Sequence, residues 1–333
     1  MKHANISLFV PHMGCPHQCS FCNQKTISGS VKQLTPEDVL NTLKEAESHN
    51  NNPENTEIAF FGGSFTAIDR DYMVSLLEVA KPFVDKGAFC GIRISTRPDA
   101  IDEEVLNILK EYHVTAIELG AQSTDEEVLR LNKRGHTRED IFKASQLIKA
   151  NGFSLGLQMM TGLSGDTSRK SLKTADDIIS IKPDTVRIYP TIVLEGTMLG
   201  EMYKKGEYKP QTTEEAVELC SILCQRFYKN NIKVIRLGLH SGGNVEEGYL
   251  SGPYHPAFGE LCESGVYLNI AKERLKEIKK GKITIFVNPR EISKMTGQKG
   301  SNKEKLLSEG YKVTVKGDGS LNKYEIKIQS DER

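Results

Sequence analysis

Short apolar runs alternate, over the first 240 residues, with stretches in which apolar side chains recur every three or four positions. The runs at 6–10, 57–61, 91–95, 116–119, 154–159, 186–189 and 234–237 predict strands. The stretches at 36–49, 69–85, 102–112, 138–150, 168–180 and 213–230 predict amphipathic helices. Cap residues support the starts: Thr35 precedes Pro36 and Glu37, and Asp102 precedes Glu103 and Glu104. Strand–helix alternation of this kind implies right-handed βαβ units and a parallel sheet, an α/β protein. Six or seven units suit a full or partial (β/α) barrel, whose chemistry gathers at the C-terminal ends of the strands.

The chain has 333 residues, enough for a barrel plus a small module. Lys+Arg and Asp+Glu are 44 each, which excludes a polybasic nucleic-acid coat or an acidic tail as the whole protein. The uncharged stretch 150–165 is too short and polar to span a bilayer. The apolar segment 6–10 is too brief for a signal-peptide core. A cytoplasmic location is expected, where seven cysteines serve as thiols or metal ligands rather than disulfides. Charge is uneven: from Lys272 onward there are 16 Lys+Arg against nine Asp+Glu, a local +7. That asymmetry marks a separate module, and the expected division is a barrel with its extension over 1–265 and a small basic α+β module over 266–333.

Just after the first predicted strand stands Cys15-Pro16-His17-Gln18-Cys19-Ser20-Phe21-Cys22, a C-x3-C-x2-C loop. Three thiolates can hold three irons of a cubane and leave the fourth open to a ligand. Zinc is the alternative, with His12 or His17 as a fourth ligand. Phe60-Phe61-Gly62-Gly63-Ser64 closes the second strand, where two glycines let backbone approach a ligand closely.

The triple-cysteine loop with Phe21 before its last cysteine, followed one βα unit later by Gly62-Gly63, resembles the radical S-adenosylmethionine (SAM) superfamily. Ser95-Thr96-Arg97-Pro98-Asp99, Glu118-Leu119-Gly120-Ala121-Gln122-Ser123, Asn132-Lys133-Arg134-Gly135-His136-Thr137 and Arg187-Ile188-Tyr189-Pro190-Thr191 are similar to the radical SAM part of the elongator catalytic subunit. So is Tyr203-Lys204-Lys205-Gly206-Glu207-Tyr208. The resemblance covers most of 5–270 and implies a partial barrel of the radical SAM type. It implies that Cys15, Cys19 and Cys22 hold a 4Fe–4S cluster and that Gly62 and Gly63 contact the amino group of SAM. Gln122 and Arg134 match positions that bind the SAM carboxylate or ribose in related oxygen-independent coproporphyrinogen oxidases, and Arg suits a carboxylate through its planar fork. Gln158 is expected to face the ribose or simply line the barrel. Ser95 stands where relatives often carry Glu. Tyr189 and His136 near the barrel mouth are expected to pack or to support the site from behind, with radical or proton handling as the alternative. The implied activity is reductive SAM cleavage, with electrons from an external donor.

The chain also departs from that family. Elongator catalytic subunits carry a C-terminal acetyltransferase domain, for which the residues after 270 leave no room, and Asn23-Gln24-Lys25 replaces the usual Gly-rich run. An acyl group would then come from another source or a partner. Cys220 and Cys224, four apart on one helix face, read as buried core thiols; an auxiliary cluster with Cys262 is the alternative. In the tail, 292–307 reads as helix, Gly297-Gln298-Lys299-Gly300 loop, helix, with strands at 311–316 and 324–328. This resembles a KH module, in which a Gly-x-x-Gly loop clamps a single-stranded backbone. Gly297, Lys299, Gly300 and Lys303 would meet RNA, with Lys294 and Lys305 adding charge. Three readings follow: a radical SAM enzyme acting on tRNA or other RNA, one acting on a small or porphyrin-like molecule, and a non-catalytic metal-containing RNA-binding protein.

Overall fold

The computed structural model describes residues 3–10, 18–23, 33–239 and 245–330. The elements run β1 (Ala4–Val10), α1 (Pro36–His49), β2 (Thr56–Gly62), α2 (Arg70–Asp85), β3 (Ile92–Thr96), α3 (Glu103–Glu111), β4 (Val114–Gln122), α4 (Glu126–Leu131), α5 (Arg138–Ala150), β5 (Ser154–Thr161), α6 (Ser168–Ile181), β6 (Thr185–Pro190), β7 (Val193–Leu194), α7 (Met198–Lys204), α8 (Thr213–Lys229), β8 (Lys233–Leu237), α9 (Val245–Gly248), β9 (Tyr249–Ser251) and α10 (Phe258–Leu275). The tail adds β10 (Gly281–Val287), α11 (Ile292–Thr296), α12 (Ser301–Ser308), β11 (Tyr311–Gly317) and β12 (Ile326–Ser330).

Seven strands form one sheet in the order β1-β2-β3-β4-β5-β6-β8, every neighbouring pair parallel. This is the partial barrel expected. Successive strand side chains point to opposite faces, and here the two faces differ in chemistry. Ile58, Phe60, Ile92, Ile94, Ile117, Leu119, Leu155, Leu157, Val186 and Ile188 are buried against Leu76, Leu77, Leu106, Leu109, Ile141, Ile148 and Ile178 of the helices. The alternate positions face the interior and are mostly charged, polar or small, with Phe9, Phe61 and Met160 among them. Helix starts are fixed locally: Thr35, Thr137 and Thr212 make reciprocal capping boxes with Asp38, Asp140 and Glu215.

The tail forms a three-stranded sheet of order β11-β10-β12, with β10 parallel to β11 and antiparallel to β12. The crossover between the parallel pair is the helix–loop–helix of 292–308. Tyr324, expected in a strand, lies before β12 with φ 62°, its ring buried against Tyr267 and Tyr228.

Helix α10 joins the two parts. Phe258 and Cys262 belong to the barrel core, while Val266, Tyr267, Ala271 and Leu275 pack with Ile283, Ile285 and Val313 of the tail. It presses on α8 so closely that a Cβ on Gly265 would stand 2.2 Å from Ser221 Oγ. Cys220, Cys224 and Cys262 lie in this seam, all buried. Burial pushes the Cys224 thiol up to about 11 and the Cys262 thiol higher still. Among the described residues no three His, Cys, Asp or Glu side chains are grouped as a metal site, and the three thiols are packed in the core.

Candidate active site

The site is assembled at the C-terminal ends of the strands. Cys15, His12 and His17 lie outside the described residues. Cys19 is buried and Cys22 half-buried, in a turn closed by Cys22 N–H donating to Cys19 O at 3.2 Å. Three remote segments hold this turn. Ser20 donates its N–H to Asn132 O (3.2 Å) and its hydroxyl to Asn132 Oδ1 (2.6 Å), and Asn132 donates onward to Val128 O and Ser164 O. Leu199 N–H donates to Ser20 O at 2.7 Å, and Asn23 Nδ2 donates to Glu195 O at 2.9 Å. Stretches more than a hundred residues apart in the chain thus converge on one short loop.

Arg134 sits at the centre. Its Nη1 donates to Cys19 Sγ at 3.0 Å and its Nη2 to Gly120 O at 2.6 Å. Its own carbonyl accepts from Arg97 Nη2 (2.7 Å), while the Arg97 fork also grips both Asp99 oxygens at 2.8 Å. Burial opposes ionisation of Asp99, but that fork outweighs it and holds the carboxyl below its usual range. His136 contacts Ala121 O at 3.3 Å, and its Nδ1 is buried without a partner among the described residues. Burial, with the Arg134 charge behind it, lowers the His136 pKa to about 4.

Gln122 ends β4 at a break in register with β5, in the left-handed region at φ 63°. Its Oε1 is buried and has no hydrogen-bond partner among the described residues. Gly62 ends β2 at φ 113°, and a Cβ there would meet Val10 O at 2.3 Å; Gly63 N–H donates to that same carbonyl at 3.0 Å. The glycines therefore bring β2 flush with the end of β1, where the cysteine loop departs.

These residues suit the cofactors of the resemblance. A guanidinium aimed at Cys19 Sγ is a hydrogen-bond donor of the kind that tunes a cluster sulfur. The unsatisfied Gln122 amide oxygen awaits a donor that an amino or hydroxyl group of SAM would supply. Gln158 Nε2 donates to Glu118 Oε2 at 2.9 Å and contacts Ser95 Oγ at 3.5 Å.

Beneath this layer the interior face carries a charge ladder absent from the sequence reading. Arg93 Nε donates to Glu57 Oε2 (2.7 Å) and Nη1 to Glu118 Oε1 (3.3 Å). Arg187 Nη2 donates to Glu118 Oε1 at 2.8 Å, while its Nε lies 2.6 Å from Oε2 in a contact too bent for a hydrogen bond. Glu118 is 1% exposed and presses on Gly156, where a Cβ would lie 2.8 Å from its Cγ. Burial raises the Tyr189 pKa above its ordinary value, so the phenol is neutral. The signal was present in the chain: one charge set inside an otherwise apolar run on each of several strands.

In the tail, Gly297 (φ 80°) and Gly300 (φ 83°) bracket Lys299, itself at φ 53°. A Cβ on Gly297 would meet Ser301 Oγ at 2.5 Å and Asn302 N at 2.7 Å, so the loop requires that glycine. Lys299, Lys303 and Lys305 are exposed and have no ion pair among the described residues. Lys294 is instead committed to Glu263 (2.6 Å) and Glu291 (3.1 Å).

A cysteine turn at the mouth of a seven-stranded partial barrel, backed by glycines at the end of the second strand, defines a radical SAM enzyme. The chain belongs to that superfamily: residues 9–178 match the radical SAM superfamily family, and 183–267 its C-terminal domain. It is 35% identical over 263 residues to the tRNA uridine(34) acetyltransferase of Methanocaldococcus jannaschii, a match over 66% of this chain and 48% of that protein. It is 30% identical over 186 residues to human Elongator complex protein 3, over 50% of this chain and 34% of that one. Archaeal Elp3 of Methanocaldococcus infernus, solved with its N-terminus deleted, superposes with a TM-score of 0.63 at 26% identity, over 83% of this chain and 64% of that one. The chain spans about half the length, or less, of the curated relatives it matches.

Proposed function

We propose that this enzyme cleaves SAM reductively at a 4Fe–4S cluster held by Cys15, Cys19 and Cys22, and modifies tRNA or another RNA in the cytoplasm with electrons from a separate donor. When bound, the cluster and SAM supply an electron and a 5′-deoxyadenosyl radical that abstracts hydrogen from substrate. The chain's own residues bind and orient. Arg134 fixes Cys19 and ties it to β4, Gln122 offers its unsatisfied oxygen to SAM, and Gly62 and Gly63 let the ligand's amino group reach the backbone. Gln158 holds Glu118 beneath the ligand. The observation that carries the reading is the convergence of Arg134, Asn132, Leu199 and Glu195 on the Cys19–Asn23 turn, beside the orphaned Gln122 oxygen.

RNA is favoured as substrate by the tRNA activity in the names of the relatives and by the exposed lysines of the Gly297–Gly300 loop. The segment from 266 onward serves in this reading as the RNA-holding module, with Gly297 and Gly300 shaping the clamp and Lys299 and Lys303 on phosphates. No described helix is long and apolar enough to cross a membrane.

The test is anaerobic. Iron and sulfide are reconstituted, dithionite and SAM are added, and 5′-deoxyadenosine is measured with and without bulk tRNA. Stimulation by tRNA is expected, with loss of cleavage in Cys19→Ala. Cleavage indifferent to tRNA would move the substrate to a small molecule, and absence of cleavage from a well-formed cluster would overturn the activity. In parallel, the Lys299→Glu/Lys303→Glu double variant should bind tRNA less tightly. Its log–log salt slope should fall by about 1.4, at ~0.7 per lost single-strand phosphate contact.

A further inference from the structure

Among the described residues, the charges lining the barrel interior do not balance. The acids are Glu57 on β2 and Glu118 on β4; the arginines are Arg93 on β3, Arg187 on β6 and Arg236 on β8. Arg93 is shared between Glu57 and Glu118, and Arg187 is taken by Glu118. Arg236 has no hydrogen-bond or ion-pair partner among the described residues, although it is half-buried.

The register sharpens the point. Arg187 and Arg236 are paired directly across β6 and β8, so their side chains share one face. Like charges directly opposite one another destabilise a sheet, and Glu118 neutralises only one of these two. Burial lowers the Arg236 pKa, with the Tyr189 oxygen opposing that trend and the Arg187 charge adding to it. Tyr189 stands two residues above Arg187 on the same face of β6, and its phenol is coupled to both arginines. The result is a half-buried guanidinium with no counter-charge among the described residues, on the strand face that also carries the Tyr189 phenol. A charge kept at a cost to stability on a face that carries a hydroxyl suits an anion.

We propose that Arg236, together with the Tyr189 hydroxyl, binds an oxyanion of the substrate inside the barrel, either a phosphate of the nucleotide to be modified or a carboxylate of a small co-substrate. The site rests on the reading of the lumen as the substrate chamber. Glu118 has a positioning part in it, because by occupying Arg187 it leaves Arg236 as the free cation.

The test uses the cluster-loaded full chain in phosphate-free, low-salt buffer, with uridine 5′-monophosphate, malonate and uncharged uridine as probes, read by calorimetry and by thermal unfolding. At least one of the two anions should bind and raise the unfolding midpoint, and uridine should do neither. Whichever anion binds identifies the source of the oxyanion. Arg236→Gln should weaken that binding by about tenfold or more, the scale of a lost charge-assisted hydrogen bond, while Arg236→Lys should stay within a few-fold of the parent. Without anion, Arg236→Gln should unfold at the same temperature as the parent or higher, since a repulsion has been removed. A merely structural arginine would lower that midpoint. Equal anion binding by Arg236→Gln and the parent, or no binding of either anion by the parent, would overturn the proposal. SAM cleavage indifferent to tRNA alongside Arg236-dependent malonate binding would sink the RNA reading and leave the anion site standing.

Discussion

Gly62 accepts no side chain. Its φ of 113° lies where only glycine rests easily, and a Cβ would run into Val10 O at 2.3 Å. Gly62→Ala should cost about 2 kcal/mol or more in denaturant unfolding, and should weaken SAM binding because β2 must move away from the cysteine turn. Glu118 is the other residue on which neighbours depend. Glu118→Gln leaves Arg187 beside Arg236 with no counter-charge, and a loss of about 3–5 kcal/mol is expected by urea titration. His136 sets a pH limit. Its folded pKa, about 4, lies below the ordinary 6.5, so protons favour the unfolded chain. Its contribution is complete above about pH 6.5 and is lost as pH falls toward 4, amounting to about 3 kcal/mol at ~1.4 kcal/mol per unit. Stability measured between pH 7 and 4.5 should fall less steeply in His136→Asn than in the parent.

Among the elements, the Gly-x-x-Gly turn depends on Asn302. This buried amide donates to Ser264 O (2.9 Å), Lys294 O (3.2 Å) and Met295 O (3.2 Å), so it links α12 to both α10 and α11. Asn302→Ala strands buried carbonyls and should cost about 2–3 kcal/mol, read by far-UV circular dichroism in urea. The barrel strands were legible because their outward faces are runs of Ile, Leu and Val, and the outer helices because one face is wet and the other dry. Helix α10 was not. It begins at Ala257 without a side-chain cap and buries residues toward two cores, so no single apolar stripe repeats along it. Strand β10 follows a lysine-rich run that masks its start, and Tyr324 has strand-like chemistry but sits in a left-handed turn. Cys19, Gly62, Gln122 and Arg134 were singled out through motifs, whereas Arg93, Arg187 and Arg236 became meaningful only once register put them on one face. Pairing across strands is a property of the folded sheet and leaves no local spacing to read.

At the scale of the molecule, the two hydrophobic cores touch through α8 and α10, with Cys220 in one and Cys224 in the other. Unfolding followed separately by circular dichroism and by tyrosine fluorescence should therefore give coincident transitions, and Tyr267→Ala should shift both together. The sharing of α10 also bears on how such a chain can be cut, fused or inherited. A tail removed at residue 265 would take Val266, Tyr267, Ala271 and Leu275 and leave α8 with a bare flank. A tail transplanted from residue 276 would arrive without the helix its sheet is built on. The transferable piece has to begin before Phe258 and must bring Gly265, because its new host needs a helix that can come as near as Ser221 does here. Recombination that kept both cores intact would accordingly have to carry this tail together with α10, never as a loose bead on a string.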